Sequence, residues 1–488
     1  MKRALATAAL AGLAVLTACS FAPTYKRPDL PASADVYKEA NGWKVAQPAD
    51  DSARGPWWTV FGDPQLNALE DRVAGSNQNL KAAYARYEQA RAQARQARAD
   101  YFPSIGVDAN ATRQRQSTTR ATSRPGAPAV FNDYLLDADL SYEIDLWGRV
   151  RNEVEAGKDA AQASAADLAG LDLATHAELA MDYFSLRADD STQALLDEAV
   201  GAYGKALQLT QNLHRGGAAS AVDVDQAQTQ LQTARTQAAD TRLRREQLEH
   251  AIAVLIGEPP AQFSLKPEPL AATPAPIDPG LPSSLLERRP DIAAAERRTA
   301  AANAGIGVAR VAYFPEFSLA AAFGFESGQS GNWLTAPSRL WSFGPSALLT
   351  VFDGGRRAAL TDQARAAYDE AVANYRQTVL TAYQEVEDNL AALHQLAQES
   401  SSQQLAVEAS QRALTQATYR YKGGIATYLE VVSAQNAALQ AQLSAANILA
   451  RRMNADVLLI KALGGGWSSS QLDANASATG QAPVAETR

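Results

Sequence analysis

The sequence predicts a mainly α-helical protein that contributes a few β-strands to a membrane, with two copies of one unit in a single chain. Three observations support this fold class. A short turn motif occurs twice, four segments alternate apolar and polar side chains, and the stretches 148–214 and 355–421 have helical composition without a proline.

The duplication is visible in the turn motif, which reads RGGAASAVDVDQAQ at 215–228 and KGGIATYLEVVSAQ at 422–435, an offset of 207 residues. The offset rises to 212 residues upstream, where the tripeptide Tyr-Phe-Pro occurs at 101–103 and again at 313–315. The chain is therefore a tandem duplication. We predict a first structural repeat at 61–257, an inter-repeat linker at 258–290 and a second repeat at 291–466.

Each copy of the motif predicts the turn of a helical hairpin, with tips at 215–223 and 422–430. Glycines supply the positive φ at which helices end, and Ser/Thr-x-x-Asp/Glu forms a capping box that starts the next helix. The residues concerned are Gly216, Gly217, Ser220 and Asp223 in the first copy, and Gly423, Gly424, Thr427 and Glu430 in the second.

The N-terminus is similar to that of a bacterial lipoprotein. Two basic residues precede an apolar run that is too short to span a bilayer but suits a signal peptide, which we predict at 1–18. The run ends in Leu-Thr-Ala-Cys, which resembles a lipobox and implies that Cys19 is lipidated. Ser20, because it is not aspartate, implies sorting to the outer membrane. Residues 19–60 then form a lipidated tether; the alternative is an ordinary signal peptide with an incidental cysteine.

Four segments have the period of β-strands: about 103–112, 136–146, 316–326 and 340–352. Segments of about ten residues with one apolar face are typical of membrane barrels, although strands of a soluble sandwich alternate in the same way. Four strands cannot close a membrane barrel, whose smallest form has about eight. The chain must therefore share a barrel with other copies, as a dimer with eight strands or a trimer with twelve.

The helical stretches are too long for a compact globular core, since about 65 residues of helix extend roughly 100 Å. The helices that return from the turns, at about 220–256 and 427–463, carry the three- and four-residue spacing of coiled coils. That pattern alone would also fit a structural fibre. Another helical region begins at Asp63-Pro64 and is predicted to break near Gly75.

Two segments give weaker signals. The predicted loop at 113–134 contains Arg113, Arg115, Arg120 and Arg124, which could meet lipid phosphates or simply be solvated. Residues 467–488 have the composition of a disordered tail.

Composition argues against several classes of function. The formal net charge of −8 gives no electrostatic footprint for nucleic acid. The four histidines lack the spacing of metal ligands, and the chain has no P-loop or dinucleotide fingerprint. We therefore expect no enzymatic activity, no metal and no cofactor, apart from the covalent lipid on Cys19.

Taken in order, the motifs resemble the outer-membrane efflux lipoproteins of the NodT/OprM type, which are TolC-like channels. Besides the lipobox and the two turns, the matching segments are Tyr25-Lys26-Arg27-Pro28, Trp57-Trp58, Asp145-Leu146-Trp147-Gly148-Arg149, Leu286-Glu287-Arg288-Arg289-Pro290-Asp291-Ile292 and Phe352-Asp353-Gly354-Gly355-Arg356.

The resemblance implies a homotrimer in which each chain gives four strands to a shared twelve-stranded outer-membrane barrel, continued by a helical barrel through the periplasm. It implies a passive conduit for small molecules such as drugs. The partners would be outer-membrane lipid, a periplasmic membrane-fusion adaptor and an inner-membrane pump of the resistance-nodulation-division type. A tunnel for type I protein secretion would have the same fold, whereas a structural coiled-coil lipoprotein would lack the strands.

The resemblance also assigns roles to the tips. Adaptor docking is implied for Gly216, Gly217, Ser220, Asp223, Gly423, Gly424 and Thr427. The second turn implies a periplasmic gate in which Leu429 matches an apolar ring and Glu430 an acidic one. Ser433 and Asn436 occupy positions where other members carry charges, so a double acidic ring is not implied. Alternatively, Glu430 only completes the capping box with Thr427.

Overall fold

The computed structural model of the chain describes residues 21–30, 37–40, 56–117, 128–274 and 288–467. The first repeat contains α1 (Pro64–Ser76), α2 (Gln78–Ala99), β1 (Ser104–Arg115), β2 (Val130–Glu143), α3 (Arg149–Arg215) and α4 (Ala221–Leu255). The second contains α5 (Pro290–Val311), β3 (Glu316–Ser327), β4 (Arg339–Leu348), α6 (Arg356–Lys422) and α7 (Tyr428–Ala462). The two long helices have 67 residues each and the two return helices 35, so the repeats share one plan.

Side-chain caps determine where the first two helices begin. Asp63 accepts hydrogen bonds from the backbone N–H groups of Gln65 (2.8 Å) and Leu66 (3.0 Å), which starts α1. The predicted break near Gly75 instead lies at Asn77. The Asn77 side chain accepts from the N–H of Leu80 at 3.0 Å and so caps α2, whereas Gly75 stays helical.

The strands form one antiparallel sheet in the order β1-β2-β3-β4, with bounds that differ from those predicted. β2 begins at Val130 instead of about 136, because backbone pairing continues through polar residues up to the Arg115–Val130 pair. Arg113 and Arg115 therefore lie in β1 and not in a loop, while Arg120 and Arg124 fall outside the described residues. β4 ends at Leu348 because its partner β3 begins opposite, at Glu316.

The sheet has one apolar and one polar face. Residues opposite one another point to the same face, and two such rows are Val107, Ala138, Phe323 and Trp341, and Ile105, Leu140, Ala321 and Phe343. In the single chain, Trp341 is 76% exposed and Val107 is 74% exposed. On the other face, Asp108 lies opposite Asp137. Within the described residues, β1 and β4 each have a neighbouring strand on one side only.

The chain divides into two compact units, the first comprising Met1–Asp29, Tyr87–Ser164 and Ala295–Tyr375 and including the sheet. The second comprises Leu30–Arg86, Ala165–Ala294 and Arg376–Arg488 and contains the main hydrophobic core. That core packs α1, α3, α4 and α7 together, with fully buried side chains such as Leu66, Phe184, Ile252 and Val457.

The beginning of the predicted linker is fastened to α3 and α4 by four largely buried charged side chains, Arg187, Asp190, Arg245 and Glu249. The N–H of Glu268 donates to Asp190 at 2.9 Å, and the N–H of Leu265 donates to Glu249 at 2.6 Å. Each carboxylate is also paired with an arginine. The buried charges are therefore compensated, and the N–H groups of the linker have hydrogen-bond acceptors.

No helix among the described residues combines the length and the apolar character that crossing a membrane would require. Four predictions fall wholly or largely outside the described part of the chain: the signal peptide, the lipidated Cys19, the tether and the tail.

Candidate docking tips and gate

The first hairpin turn ends α3 with a single left-handed residue. Gly217 has a φ of 75°, and its N–H donates to the carbonyl of His214 at 3.0 Å. The N–H of Ala218 donates to Leu213 at 2.8 Å. This pair of hydrogen bonds is a Schellman motif, which requires a positive φ at one position only.

The second turn repeats this geometry. Gly424 has a φ of 70° and donates to Tyr421 at 3.0 Å, and Ile425 donates to Arg420 at 2.9 Å. The prediction that both glycines of a pair supply the positive φ is wrong, because Gly216 and Gly423 do not have it. The second glycine alone terminates each helix.

The two turns differ in how the following helix starts. The predicted capping box of Ser220 and Asp223 is confirmed: the Ser220 N–H donates to Asp223 at 2.9 Å, and the Asp223 N–H donates back to Ser220 Oγ at 3.2 Å. The capping box predicted for Thr427 and Glu430 is wrong, since the Thr427 side chain makes no capping hydrogen bond.

Glu430 forms an ion pair across its own turn instead. Its Oε2 lies 3.3 Å from the guanidinium of Arg420, at the end of α6. The equivalent of Arg420 in the first repeat is Leu213, which offers no charge to Asp223. Glu430, which is longer and has a cation opposite, therefore pairs with Arg420 instead of capping α7. Asp223 is shorter and has no such cation, and it caps α4 together with Ser220.

The predicted gate residues lie together on one side of α7. All four are exposed in the single chain: Leu429, Glu430, Ser433 and Asn436. Leu429 leaves 55% of its surface accessible, whereas Tyr428 and Val431, on the other side of the helix, are buried. The Gln230 amide on α4 donates to Asn436 Oδ1. The gate role itself stays a prediction.

An aromatic pair anchors the second turn to the first hairpin. The rings of Tyr421 and Tyr428 are 5.6 Å apart, and Tyr428 is buried in a cluster with Tyr203 and Leu207 of α3. The first repeat has a histidine and an alanine at the equivalent positions, so the aromatic pair belongs to the second turn alone.

Comparison with known proteins identifies the family. The model of the outer membrane efflux protein family matches residues 69–258 and matches again at 281–465. The chain belongs to this family. The two matches place one copy of the family unit on each half of the chain.

Similar efflux channels cover nearly the whole chain. Outer membrane protein OprJ of Pseudomonas aeruginosa is 34% identical over 473 residues, which are 96% of this chain and 98% of OprJ. The toluene efflux pump outer membrane protein TtgC of Pseudomonas putida is 33% identical over 476 residues, 96% of this chain and 97% of TtgC. The solved CmeC outer membrane channel of Campylobacter jejuni superposes with a TM-score of 0.86 at 26% identity, covering 94% of this chain and 98% of CmeC. The predicted TolC-like fold and the outer-membrane efflux function are thus confirmed.

In this efflux channel, residues 21–25 form a strap along α5. The ring of Phe21 stacks on Phe314 at 4.2 Å. The Asn303 amide donates to the carbonyl of Pro23 at 2.8 Å, and the Tyr25 hydroxyl donates to Glu296 at 2.7 Å. The strap therefore holds the segment after Cys19 against the helix that leads into β3.

Sequence reasoning missed a buried ion pair in the second compact unit. His176 Nδ1 lies 2.6 Å from Glu70 Oε2, and the Trp58 ring stacks on the imidazole at 4.4 Å. Burial would lower the pKa of His176, but the carboxylates of Asp172 and Glu70 outweigh it and raise that pKa to about 9. Burial raises the pKa of Glu70 to about 7. No local pattern could reveal this pair, because its partners are 106 residues apart. Within the described ranges, no His, Cys, Asp and Glu side chains group as metal ligands.

Proposed function

We propose that three copies of this efflux channel share one twelve-stranded barrel and form a passive conduit. The observation that carries this proposal is the sheet: its apolar face is exposed, and among the described residues β1 and β4 are paired on one side only. Unpaired strand edges are not tolerated in lipid, so copies must complete the sheet, and twelve strands leave room for a lumen.

The test is the size of the unheated assembly and its current in planar bilayers. We expect a trimer that survives detergent electrophoresis, dissociates on heating and gives single-channel currents. A monomer without currents would refute the proposal. A dimer would refute the twelve-stranded barrel. Whether such a dimer is a conduit would then be decided by its single-channel currents.

The proposed cargo is small, largely apolar molecules that a resistance-nodulation-division pump delivers through a periplasmic adaptor. Support comes from the relatives named for toluene or antibiotic efflux. Deleting the gene should raise susceptibility to solvents and apolar antibiotics, and affinity purification should recover an adaptor and a pump. Unchanged susceptibility to all such compounds, with an ABC transporter recovered instead, would favour protein secretion.

For the tips, the proposed adaptor contacts are the exposed glycine pairs together with Ser220, Asp223 and Thr427. A turn with little side chain lets a partner hairpin approach closely. Bulky substitutions at Gly216 and Gly423, which lack a positive φ, should weaken adaptor binding without breaking the helix ends. Intact binding in both variants would remove the glycine pairs from the contact.

The proposed gate is a ring of the exposed α7 face around the trimer axis. Three copies of Glu430 near one axis would attract cations, with Leu429 as an apolar constriction. Glu430→Ala with Ser433→Ala should alter conductance or sensitivity to cationic blockers. Asp225→Ala with Gln226→Ala, near the first turn, is the matched control. Unchanged currents in the variant that carries Glu430→Ala and Ser433→Ala would exclude these residues from the gate.

Membrane anchoring through a lipid on Cys19 is also proposed. The strap supports it, because Phe21 is only two residues away and lies against Phe314, next to the start of β3. Metabolic labelling with radioactive palmitate should mark the wild type and leave Cys19→Ala unmarked. Label on both proteins, or on neither, would contradict a lipid at this residue.

A further inference from the structure

The duplication gives the strap on α5 a counterpart surface on α2. The offset of 212 residues that aligns the two Tyr-Phe-Pro tripeptides runs back through both helices without a gap. The strap side of α5 carries Asn303, Gly307, Arg310 and Phe314, and the corresponding residues of α2 and its end are Arg91, Arg95, Arg98 and Phe102.

On α5, this side is occupied by the chain itself. The Arg310 guanidinium donates to the carbonyl of Phe21 at 3.3 Å, and Phe314 stacks on the Phe21 ring. Gly307 leaves room for the strap, since a Cβ there would lie 2.6 Å from the Cβ of Ala22. Any larger residue at this position would displace the strap.

On α2, Arg91 is half-buried and paired with Glu88, whereas the described chain leaves the other three positions of this side exposed. Arg95 stands where the strap would need a glycine, so a second strap cannot lie there. Arg95 and Arg98 are exposed, and within the described residues neither guanidinium has a hydrogen-bond or ion-pair partner. Phe102 is 69% exposed and Tyr101 is 37% exposed. We call Arg95, Arg98, Tyr101 and Phe102 the α2 stripe.

Charge and position define what this stripe suits. The nearby carboxylates of Glu88 and Asp145 are already paired, with Arg91 at 2.7 Å and Arg151 at 3.3 Å. Asp100 is exposed and forms no ion pair with Arg95 or Arg98, so both guanidinium groups stay available to a ligand. Phe102 lies two residues before β1, whose Ile105 and Val107 belong to the exposed apolar face. Two free guanidinium groups thus lie within about two helical turns of the end of the apolar face.

We infer that the α2 stripe binds the phosphate of an anionic phospholipid in the membrane leaflet that borders the periplasm. Guanidinium groups bind phosphate with two parallel hydrogen bonds, and exposed aromatic rings are favoured at the level of the headgroups. The inference rests on the proposed function in that the sheet lies in the membrane. The second repeat is then held at the membrane by the strap that follows the proposed lipid anchor at Cys19, and the first repeat by a bound phospholipid.

The test compares lipid binding to the purified full-length channel in detergent. Phosphatidylglycerol and phosphatidylethanolamine are titrated separately at fixed ionic strength, and bound lipid is counted by native mass spectrometry. An arginine near an anionic surface is worth about fivefold in affinity, so Arg95→Gln with Arg98→Gln should reduce the preference for phosphatidylglycerol by about thirtyfold. Arg95→Lys with Arg98→Lys should retain most of it.

Arg235→Gln with Arg242→Gln, on α4, makes the same charge change away from the stripe and should leave the preference intact. A wild type without preference, or a glutamine double variant that keeps it, would overturn the inference. So would competition by equal concentrations of inorganic phosphate, which would indicate a simple anion site, or cross-linking of the stripe to a second copy. Single-channel currents of the wild type separate the two proposals. A wild type that conducts but shows no preference for phosphatidylglycerol would overturn the lipid site alone, whereas a wild type without currents would contradict the proposed function.

Discussion

Adjacent glycines of the second turn should respond to alanine with opposite sign. At Gly424, with a φ of 70°, an added Cβ would meet no atom within 4 Å, so only backbone strain counts. Left-handed backbone costs a non-glycine residue about 1–2 kcal/mol. At Gly423 the added Cβ would lie 3.5 Å from the Tyr419 carbonyl, an ordinary contact, and φ is not positive. Alanine there should stabilise the native turn by about 0.4–1 kcal/mol, because it restricts the unfolded chain.

Hydrogen exchange at the turn measures both effects locally. The reporter is the amide of Ile425, whose hydrogen bond to Arg420 depends on the left-handed residue. Gly424→Ala should accelerate its exchange about 5- to 30-fold, and Gly423→Ala should slow it about 2- to 5-fold. Gly217→Ala and Gly216→Ala repeat the comparison at the first turn. Acceleration of similar size in both neighbours would show that the turn does not depend on one left-handed position.

Three further predictions use the same structure. Ser220→Ala should weaken the start of α4 by about 1 kcal/mol, whereas Thr427→Val should leave the start of α7 nearly unchanged because only Ser220 caps its helix; hydrogen exchange at the two starts compares them. The pKa of His176 is raised from 6.5 to about 9, so its stabilisation is present below 6.5 and is lost as the pH rises through about 9. Apparent melting temperatures should fall over that range, more in the wild type than in Glu70→Gln, and a flat wild-type profile would contradict this. Asp190→Ala leaves two buried arginines without their shared partner and should cost about 3–5 kcal/mol, seen as a lower denaturation midpoint; a loss below about 1 kcal/mol would mean that the network is solvated.

The helical part of the fold was predictable because its signals are local and long. A proline-free pattern at 148–214 gave the helix Arg149–Arg215 to within a residue at each end. Strand ends were less predictable, since backbone pairing extends β2 to Val130 through residues that do not alternate. The alternation did predict the apolar face. Successive side chains of a strand point to opposite faces, so the order of apolar and polar residues is enough to assign each face.

In the candidate site, too, local features were predictable and contacts between distant segments were not. The turn positions follow from a motif of a few residues, and the cap at Ser220 was predicted correctly. The partner of Glu430 was not, because it depends on a side chain at the end of another helix. The strap depends on an approach between residues 21–25 and α5 that needs Gly307, a glycine with no turn signal around it. Contacts between distant segments, such as Glu70 with His176, leave no periodic trace in the sequence.

The ion pair of Arg420 and Glu430 is the feature by which the second turn departs most from the first. The two side chains are 54% and 44% exposed, and an ion pair so exposed contributes about 0–1 kcal/mol to the stability of the fold. Substituting either residue should therefore destabilise the protein very little. If the gate uses this pair, Arg420→Gln and Glu430→Gln should each alter single-channel conductance. The double variant should then change it by less than the sum of the two, because both substitutions remove the same interaction. Additive effects would mean that the two side chains act on the conductance independently of each other and not through their ion pair.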